Sequence, residues 1–273
     1  MPRHRGRFNP ENEEPYELSR GRVENFLSCK ACFWLDRAKG VHFPGIPQFN
    51  LNSNTDILLK RDFDQYRGEA PHPFMIANGL EHLIPFEHED INLWQRAMHF
   101  GLNEHHFNSI HEETNICFGG GLDDVWENTS TSELHVVEYK STANLAADPQ
   151  PVSLRGNWKG GYKRQIDMYQ WVLRRKGFQV SDLSYFVYVD GQHRDVEGMI
   201  DDDTTKATMI FNTSLLTYTG DDSWIEPTLY EIKECLLQTE CPDHAETGFG
   251  AKGDKPCEFG HMFEEMKQND LTL

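Results

Sequence analysis

The chain has 273 residues, 38% of them hydrophobic and 12% aromatic, which suits a globular protein with one sizeable core, in one domain or two, and excludes a disordered polypeptide. No apolar run reaches the ~18 residues that span a bilayer, and Met1-Pro2-Arg3-His4-Arg5-Gly6-Arg7 lacks the apolar segment of a secretory signal, so a cytoplasmic location with no membrane partner is expected. A net charge of −18 argues against tight, non-specific binding to a polyanion and leaves any nucleic-acid contact to local basic clusters.

Taken in chain order, residues 1–17 are expected to be a flexible arm. Ser19 as an N-cap, with Val23, Phe26, Leu27, Phe33 and Trp34 on one side, predicts a helix over about 19–37. Gly and Pro break the chain over 40–47. A second helix is predicted over 53–66, with Ile57, Leu58 and Phe63 as its apolar face. Residues 75–111 read only as a helix or turns followed by a strand. Strands over 116–126 and 134–141 flank the polar run Asn128-Thr129-Ser130-Thr131-Ser132-Glu133, which suits a hairpin turn. A loop with Pro149 and Pro151 follows over 143–159. Ile166, Tyr169, Val172 and Leu173 then predict a helix over 162–176, closed by Gly177. Strands over 183–189 and 208–218 and a helix over 227–237 complete the regular elements. The Gly-, Pro- and charge-rich remainder, 239–273, carries Cys and His. No internal repeat or long low-complexity tract is present.

The hairpin holds the most informative residues: Gly120-Gly121-Leu122-Asp123-Asp124-Val125 and Val136-Val137-Glu138-Tyr139-Lys140. Side chains alternate faces along a strand, so Glu138 and Lys140 point the same way. A turn centred on Ser130 and Thr131 sets Asp123, and not Asp124, opposite Glu138. Two carboxylates across a ladder lie roughly 5 Å apart and repel. A hard divalent cation reverses that cost, because oxygen ligands are what Mg²⁺ or Mn²⁺ takes. The bland alternative for Glu138 and Lys140 is a surface ion pair worth less than about 1 kcal/mol. Val136, Val137 and Tyr139 around them argue for burial instead.

These residues resemble the core of the PD-(D/E)XK nucleases, in their RecB-like branch. The likeness runs over most of the chain: Leu18-Ser19 and Phe26-Leu27-Ser28-Cys29 near the start, the Gly-x-x-Asp strand at Gly120 to Asp123, Glu138-x-Lys140, and Gln165-x-x-x-Tyr169 in Lys163-Arg164-Gln165-Ile166-Asp167-Met168-Tyr169. The resemblance implies an α/β fold with a restriction-endonuclease-like core, a central mixed β-sheet flanked by helices, over 18–238. It implies Asp123, Glu138 and the main-chain carbonyl of Tyr139 as ligands of Mg²⁺ or Mn²⁺. Lys140 would position a water or stabilise charge, with Gln165 and Tyr169 over the site. An acidic or His ligand on an earlier helix is also implied. Asp56 is the preferred match and His82 and His88 are its rivals. A Gly-x-x-x-His element is lacking there.

Cys29-x-x-Cys32 has metal-ligand spacing and admits zinc, an iron–sulfur cluster or two buried thiols. Relatives with this N-terminal Cys complete an iron–sulfur cluster with C-terminal Cys, which implies that 239–273 packs back on Cys29 and Cys32. Cys257 resembles that partner, but Gly260 stands where a second Cys would fall, and either Cys241 or His261 takes its place in this reading. Cys117 and Cys235 are expected to be core residues.

The resemblance implies a metal-dependent nuclease that hydrolyses DNA, exonuclease-like, serving repair, recombination or CRISPR adaptation. Arg155, Lys159, Lys163, Arg164, Arg174, Arg175 and Lys176, with Trp158 and Tyr162 to stack on a base, are the candidate contact surface, or else a solvated face of an acidic protein. Arg3, Arg5, Arg7, Arg20 and Arg22 form a second basic group. No P-loop or helicase motif is present, so unwinding would need a helicase or CRISPR-type partner. The competing readings are a non-catalytic nucleic-acid-binding or assembly module with a structural zinc or iron–sulfur site, and a metalloprotein with redox sensing.

Overall fold

A computed structural model describes residues 3–43, 49–96, 103–146, 148, 150–194, 196–250 and 252–269. The chain opens with β1 (Tyr16–Ser19), α1 (Arg20–Ser28) and α2 (Lys30–Trp34), which runs into a π-helical turn at Leu35–Lys39. There follow α3 (Asn50–Asp64), α4 (Pro73–Ala77), β2 (Leu83–Pro85), α5 (Ile91–Trp94), β3 (Asn108–His111), β4 (Ile116–Gly119), β5 (Asp124–Asn128) and β6 (Leu134–Thr142). A 3-10 turn at Asn157–Lys159 leads into α6 (Gly160–Arg175), then β7 (Leu183–Gly191), β8 (Phe211–Thr219), α7 (Ile225–Leu237) and α8 (Glu258–Gln268).

The class is α/β, with mixed sheets flanked by helices. A five-stranded sheet has the order β2-β5-β6-β7-β8, in which only β6 and β7 are parallel, joined by a crossover through α6. A three-stranded sheet, β1-β4-β3, lies beside it. α6 touches β6 of the larger sheet and β3 and β4 of the smaller. That position explains why every residue from Gln165 to Leu173 is buried, on all sides of the helix. The larger sheet separates two cores. Val125, Val136 and Phe186 face α6 and α7, while Trp126, Val137, Tyr139, Tyr185 and Val187 pack on Phe63 of α3 and Met75 of α4. Period-two alternation along β6 therefore assigns each of its residues to one core or the other.

Several expectations need correction. The stretch expected as one strand over 116–126 is two strands in different sheets, with the chain leaving one and entering the other through Gly120 to Asp123. A Cβ on Gly119 would lie 2.3 Å from the carbonyl oxygen of Phe107, so glycine is needed where that switch begins. The helix expected over 19–37 is interrupted at Cys29, whose backbone is extended (φ −157°, ψ 109°). In α3 only Phe63 of the expected apolar face is buried; Ile57 and Leu58 are exposed, and the helix turns Asp56, Leu59 and Lys60 inward instead. Residues 3–15, expected as a flexible arm, lie on the body through buried His4 and Phe8, which pack against Tyr16. The tail, whose Gly, Pro and charge content suggests irregular structure, contains α8. Parts of the loop expected over 40–47, of the 75–111 stretch and of the C-terminal segment, together with Met1, Pro2 and Pro149, lie outside the described residues. No helix among the described residues is long and apolar enough to cross a membrane.

Candidate functional site

β5 and β6 pair with Asp124 against Val137 and Val125 against Val136. Continued by one residue, that register sets Asp123 against Glu138, as a turn centred on Ser130 and Thr131 requires. The neighbouring acids have opposite fates. Asp124 is fully buried among the α3-side residues, where it takes hydrogen bonds from Arg67 (2.9 Å) and the Tyr139 phenol (2.7 Å). Asp123 faces a cavity of about 740 Å³ lined also by Asp56, Glu138, Lys140, Gln165 and Tyr169. Its Oδ2 takes a hydrogen bond from the Tyr139 amide at 3.0 Å. Tyr139 thus meets the site through its backbone, while its side chain belongs to the other core.

Each wall of the cavity comes from a different element. β6 supplies Glu138 and Lys140, which form an ion pair on one face of the strand. α6 supplies Gln165 and Tyr169, four apart and hence on one helix face; Gln165 Nε2 donates to Glu138 Oε2 at 2.7 Å. The ring of Tyr169 lies against Gly120, where a Cβ would come 2.9 Å from the phenol oxygen. α1 presents Arg20 from its first turn, its positive charge beside Tyr169. α3 supplies Asp56, and Lys60, one turn on and outside the lining, reaches two of the cavity's carboxylates. The Lys60 ammonium lies 3.2 Å from Asp56 Oδ2 and 3.2 Å from Asp123 Oδ1. Gln95, at the C-terminal end of α5, donates to the Asp123 carbonyl at 3.2 Å.

His82 and His88 are not among the residues lining this cavity. His88 stacks on Trp94 with ring centroids 4.4 Å apart, and His82 is exposed beside the hairpin turn, its carbonyl accepting from Thr129. Lys60 and Gln95 escaped the sequence reading. The i,i+4 spacing of Asp56 and Lys60 is a signal that would have found the first.

Burial and a neighbouring negative charge raise the proton affinity of two acids in this partly desolvated pocket, Glu138 and Asp56. Burial, and then the Asp123 charge, push Glu138 up to about 7, against the pull of Lys140. Burial and Asp123 also raise Asp56. Burial works against the charge on Lys140 and Lys60, but the surrounding carboxylates outweigh it and hold both ammonium groups above the ordinary lysine value. The donor set facing the cavity is all hard oxygen, the kind that holds Mg²⁺ or Mn²⁺.

Comparison with protein-family models, curated proteins and solved structures returned no match to this chain.

A second cluster joins the two ends of the chain. The ligand atoms of Cys29, Cys32, His244 and Cys257 all lie within 4.8 Å of one another and could hold a metal ion. His244 Nδ1 is 3.6 Å from both the Cys29 and Cys32 sulfurs, and Cys32 Sγ is 3.4 Å from Cys257 Sγ. A tetrahedral ion with ~2.3 Å bonds to sulfur separates its thiolate ligands by about 3.7 Å, close to these distances. A hydrogen bond from the Cys32 thiol, helped by the Ala245 amide, pulls Cys29 down to about 4 against its burial. The extended backbone at Cys29 is the break that α1 and α2 make at this site.

The fourth member is neither residue expected from the sequence. Cys241 is exposed, and His261 points to solvent and pairs with Glu265 at 3.2 Å. The missed residue, His244, lies three positions after Cys241 in Cys241-Pro242-Asp243-His244, a short Cys/His spacing that could have marked it. Gly260 has a reason of its own: a Cβ there would lie 2.6 Å from Cβ of His244, so α8 can lie on the histidine only through a glycine. Cys117 and Cys235 are buried, away from the cluster.

Proposed function

We propose that this chain is a metal-dependent nuclease of the PD-(D/E)XK kind, RecB-like, that hydrolyses phosphodiester bonds of DNA. The observation that carries the reading is that Asp56 of α3, Asp123 at the entry to β5, Glu138 and Lys140 of β6, and Gln165 and Tyr169 of α6 line one polar cavity. A structural ion pair needs no such convergence, and crowding acidic groups costs stability unless a cation is bound there. Asp123, Glu138 and Asp56, with the main-chain carbonyl of Tyr139, would hold Mg²⁺ or Mn²⁺. A cation bound there supplies a water of lowered pKa and neutralises charge growing on the phosphate.

The protein's own groups supply the rest. Gln165 and Lys140 each hold one oxygen of Glu138 and so fix the carboxylate plane. Lys140, kept protonated by its acidic neighbours, orients the attacking water or meets the negative charge of the transition state. Arg20 adds positive charge beside Tyr169 for the phosphate backbone. Trp158, 58% exposed, stands edge-on to Tyr162 at the rim and offers a face for a base.

The Cys/His cluster is read here as a structural zinc site. One imidazole and three thiolates at single-ion spacing suit zinc better than a four-iron cluster, whose ligand sulfurs stand farther apart. Its presence also favours the second reading, a zinc-stapled binding or assembly module that does not cut. One comparison separates them. Labelled single- and double-stranded DNA is incubated with Mg²⁺ or Mn²⁺ at low salt, using wild type, Glu138→Ala and Lys140→Ala. Metal-dependent cutting lost in both variants establishes the nuclease; binding without cutting by the wild type favours the module. Polarity and any helicase or CRISPR-type partner, expected in a cytoplasmic setting, follow from the products and from co-purification.

A further inference from the structure

The ammonium of Lys60 lies between the carboxylates of Asp56 and Asp123, in the position that an ion bridging the two would take. Its Nζ is 3.2 Å from Asp56 Oδ2 and 3.2 Å from Asp123 Oδ1, and only 17% of the side chain is exposed. The other carboxylate oxygens of the site are tied down differently. Asp123 Oδ2 takes the Tyr139 amide, Glu138 Oε2 takes Gln165, and Glu138 Oε1 takes Lys140. Those donors sit on a strand backbone, on a buried helix, and on a strand lysine that also lies over the Tyr162 ring. Lys60 differs: it projects from α3 on a four-carbon stem, and both of its ion pairs are with cavity carboxylates.

Resting on the nuclease reading above, we infer that Lys60 is a displaceable internal counter-cation: it offsets part of the charge of Asp56 and Asp123 when no metal is bound and must withdraw when one bridges them. An ammonium seated between Asp56 Oδ2 and Asp123 Oδ1 fills the space that a divalent ion bridging them would take, so binding of that ion and seating of the lysine exclude one another. The lysine keeps the acidic pair from repelling in the metal-free protein. It also weakens metal binding, because each ion must first displace an ammonium. The site therefore charges at higher metal concentration than its three carboxylates alone would need.

The test is a titration with Mn²⁺, a hard ion that prefers carboxylates to thiolates, followed by the electron paramagnetic resonance signal of the free ion. Wild type, Lys60→Gln, Lys60→Met and Asp123→Asn are compared, each first checked by circular dichroism. Lys60→Met removes the donor entirely, and Lys60→Gln retains a neutral one if the methionine variant does not fold. The expected result is binding at least tenfold tighter in the Lys60 variants, a larger rise in melting temperature on adding Mn²⁺, and loss of binding in Asp123→Asn. Binding unchanged or weakened in the Lys60 variants, with Asp123→Asn still abolishing it, overturns the role of Lys60 and leaves the metal site standing. Absence of any binding that depends on Asp123 overturns both.

Discussion

Gln165 donates to Glu138 at 2.7 Å across the gap between α6 and β6, and this bond ties the crossover helix to the acidic strand. Both side chains are buried, so the contact is a fixed part of the site and not a surface encounter. Replacing Gln165 with Ala leaves Oε2 of a buried carboxylate without that donor. Nuclease activity in Mg²⁺ should fall at least tenfold in Gln165→Ala and recover in part in Gln165→Asn at raised metal concentration. Full activity in the alanine variant would count against this arrangement of the site.

Glu138 makes the metal-free protein less stable as pH rises. Its carboxyl is pushed up to about 7 in the folded chain from an ordinary 4.5. Between those two values the folded state keeps a proton that the unfolded state has released, so stability falls with rising pH across that window. The deficit is fully present above 7 and is on the order of 3 kcal/mol at ~1.4 kcal/mol per unit. Glu138→Gln should match wild type near pH 4.5 and exceed it by up to that amount at pH 8, in urea unfolding without added Mg²⁺ or Mn²⁺. A constant difference between the two pH values would refute this.

Asp123 and Asp124 should separate cleanly. Asp124→Ala leaves the Arg67 guanidinium with the half-exposed Asp64 as its one remaining carboxylate beside the Phe86 carbonyl, and is expected to cost on the order of 3 kcal/mol. Asp123→Ala removes a charge from a crowded acidic pocket and should change stability by less than about 1 kcal/mol while abolishing cleavage. Denaturant midpoints and a cutting assay on the same preparations decide it.

Gly260→Ala probes the Cys/His cluster without replacing any of its four residues. The added methyl would meet Cβ of His244 at 2.6 Å, so α8 or the histidine must shift. We expect bound zinc to fall from about one ion per chain in wild type and the melting temperature to drop by several degrees, as in His244→Ala. Elemental analysis and calorimetry measure both. Iron and sulfide in anaerobically prepared wild type would show a cluster instead.

Trp158→Ala should weaken binding of single-stranded DNA by about 1–3 kcal/mol, the loss of one stacked base, with a smaller effect on duplex. Fluorescence anisotropy at fixed salt reads both. Equal losses on the two substrates would assign the indole to general packing, over Lys159 (3.9 Å from the ring centroid), in place of base stacking.

Local pattern by itself determined the β5–β6 register, the pairing of Asp123 and not Asp124 with Glu138, the shared face of Glu138 and Lys140, and the amphipathic start of α6. Period two and the turn between the strands suffice for these, because the interactions lie within a few residues or across one hairpin. Tertiary structure decided what depends on distant elements meeting. It split the 116–126 stretch between two sheets, where a close backbone approach at Gly119 leaves room only for glycine. It turned Asp56 and Lys60 of α3 inward while leaving Ile57 and Leu58 exposed, and it chose His244, 215 residues after Cys29, over Cys241 and His261. Such choices rest on which side chains share one small volume once the chain has folded, and spacing along a single sequence carries no record of that.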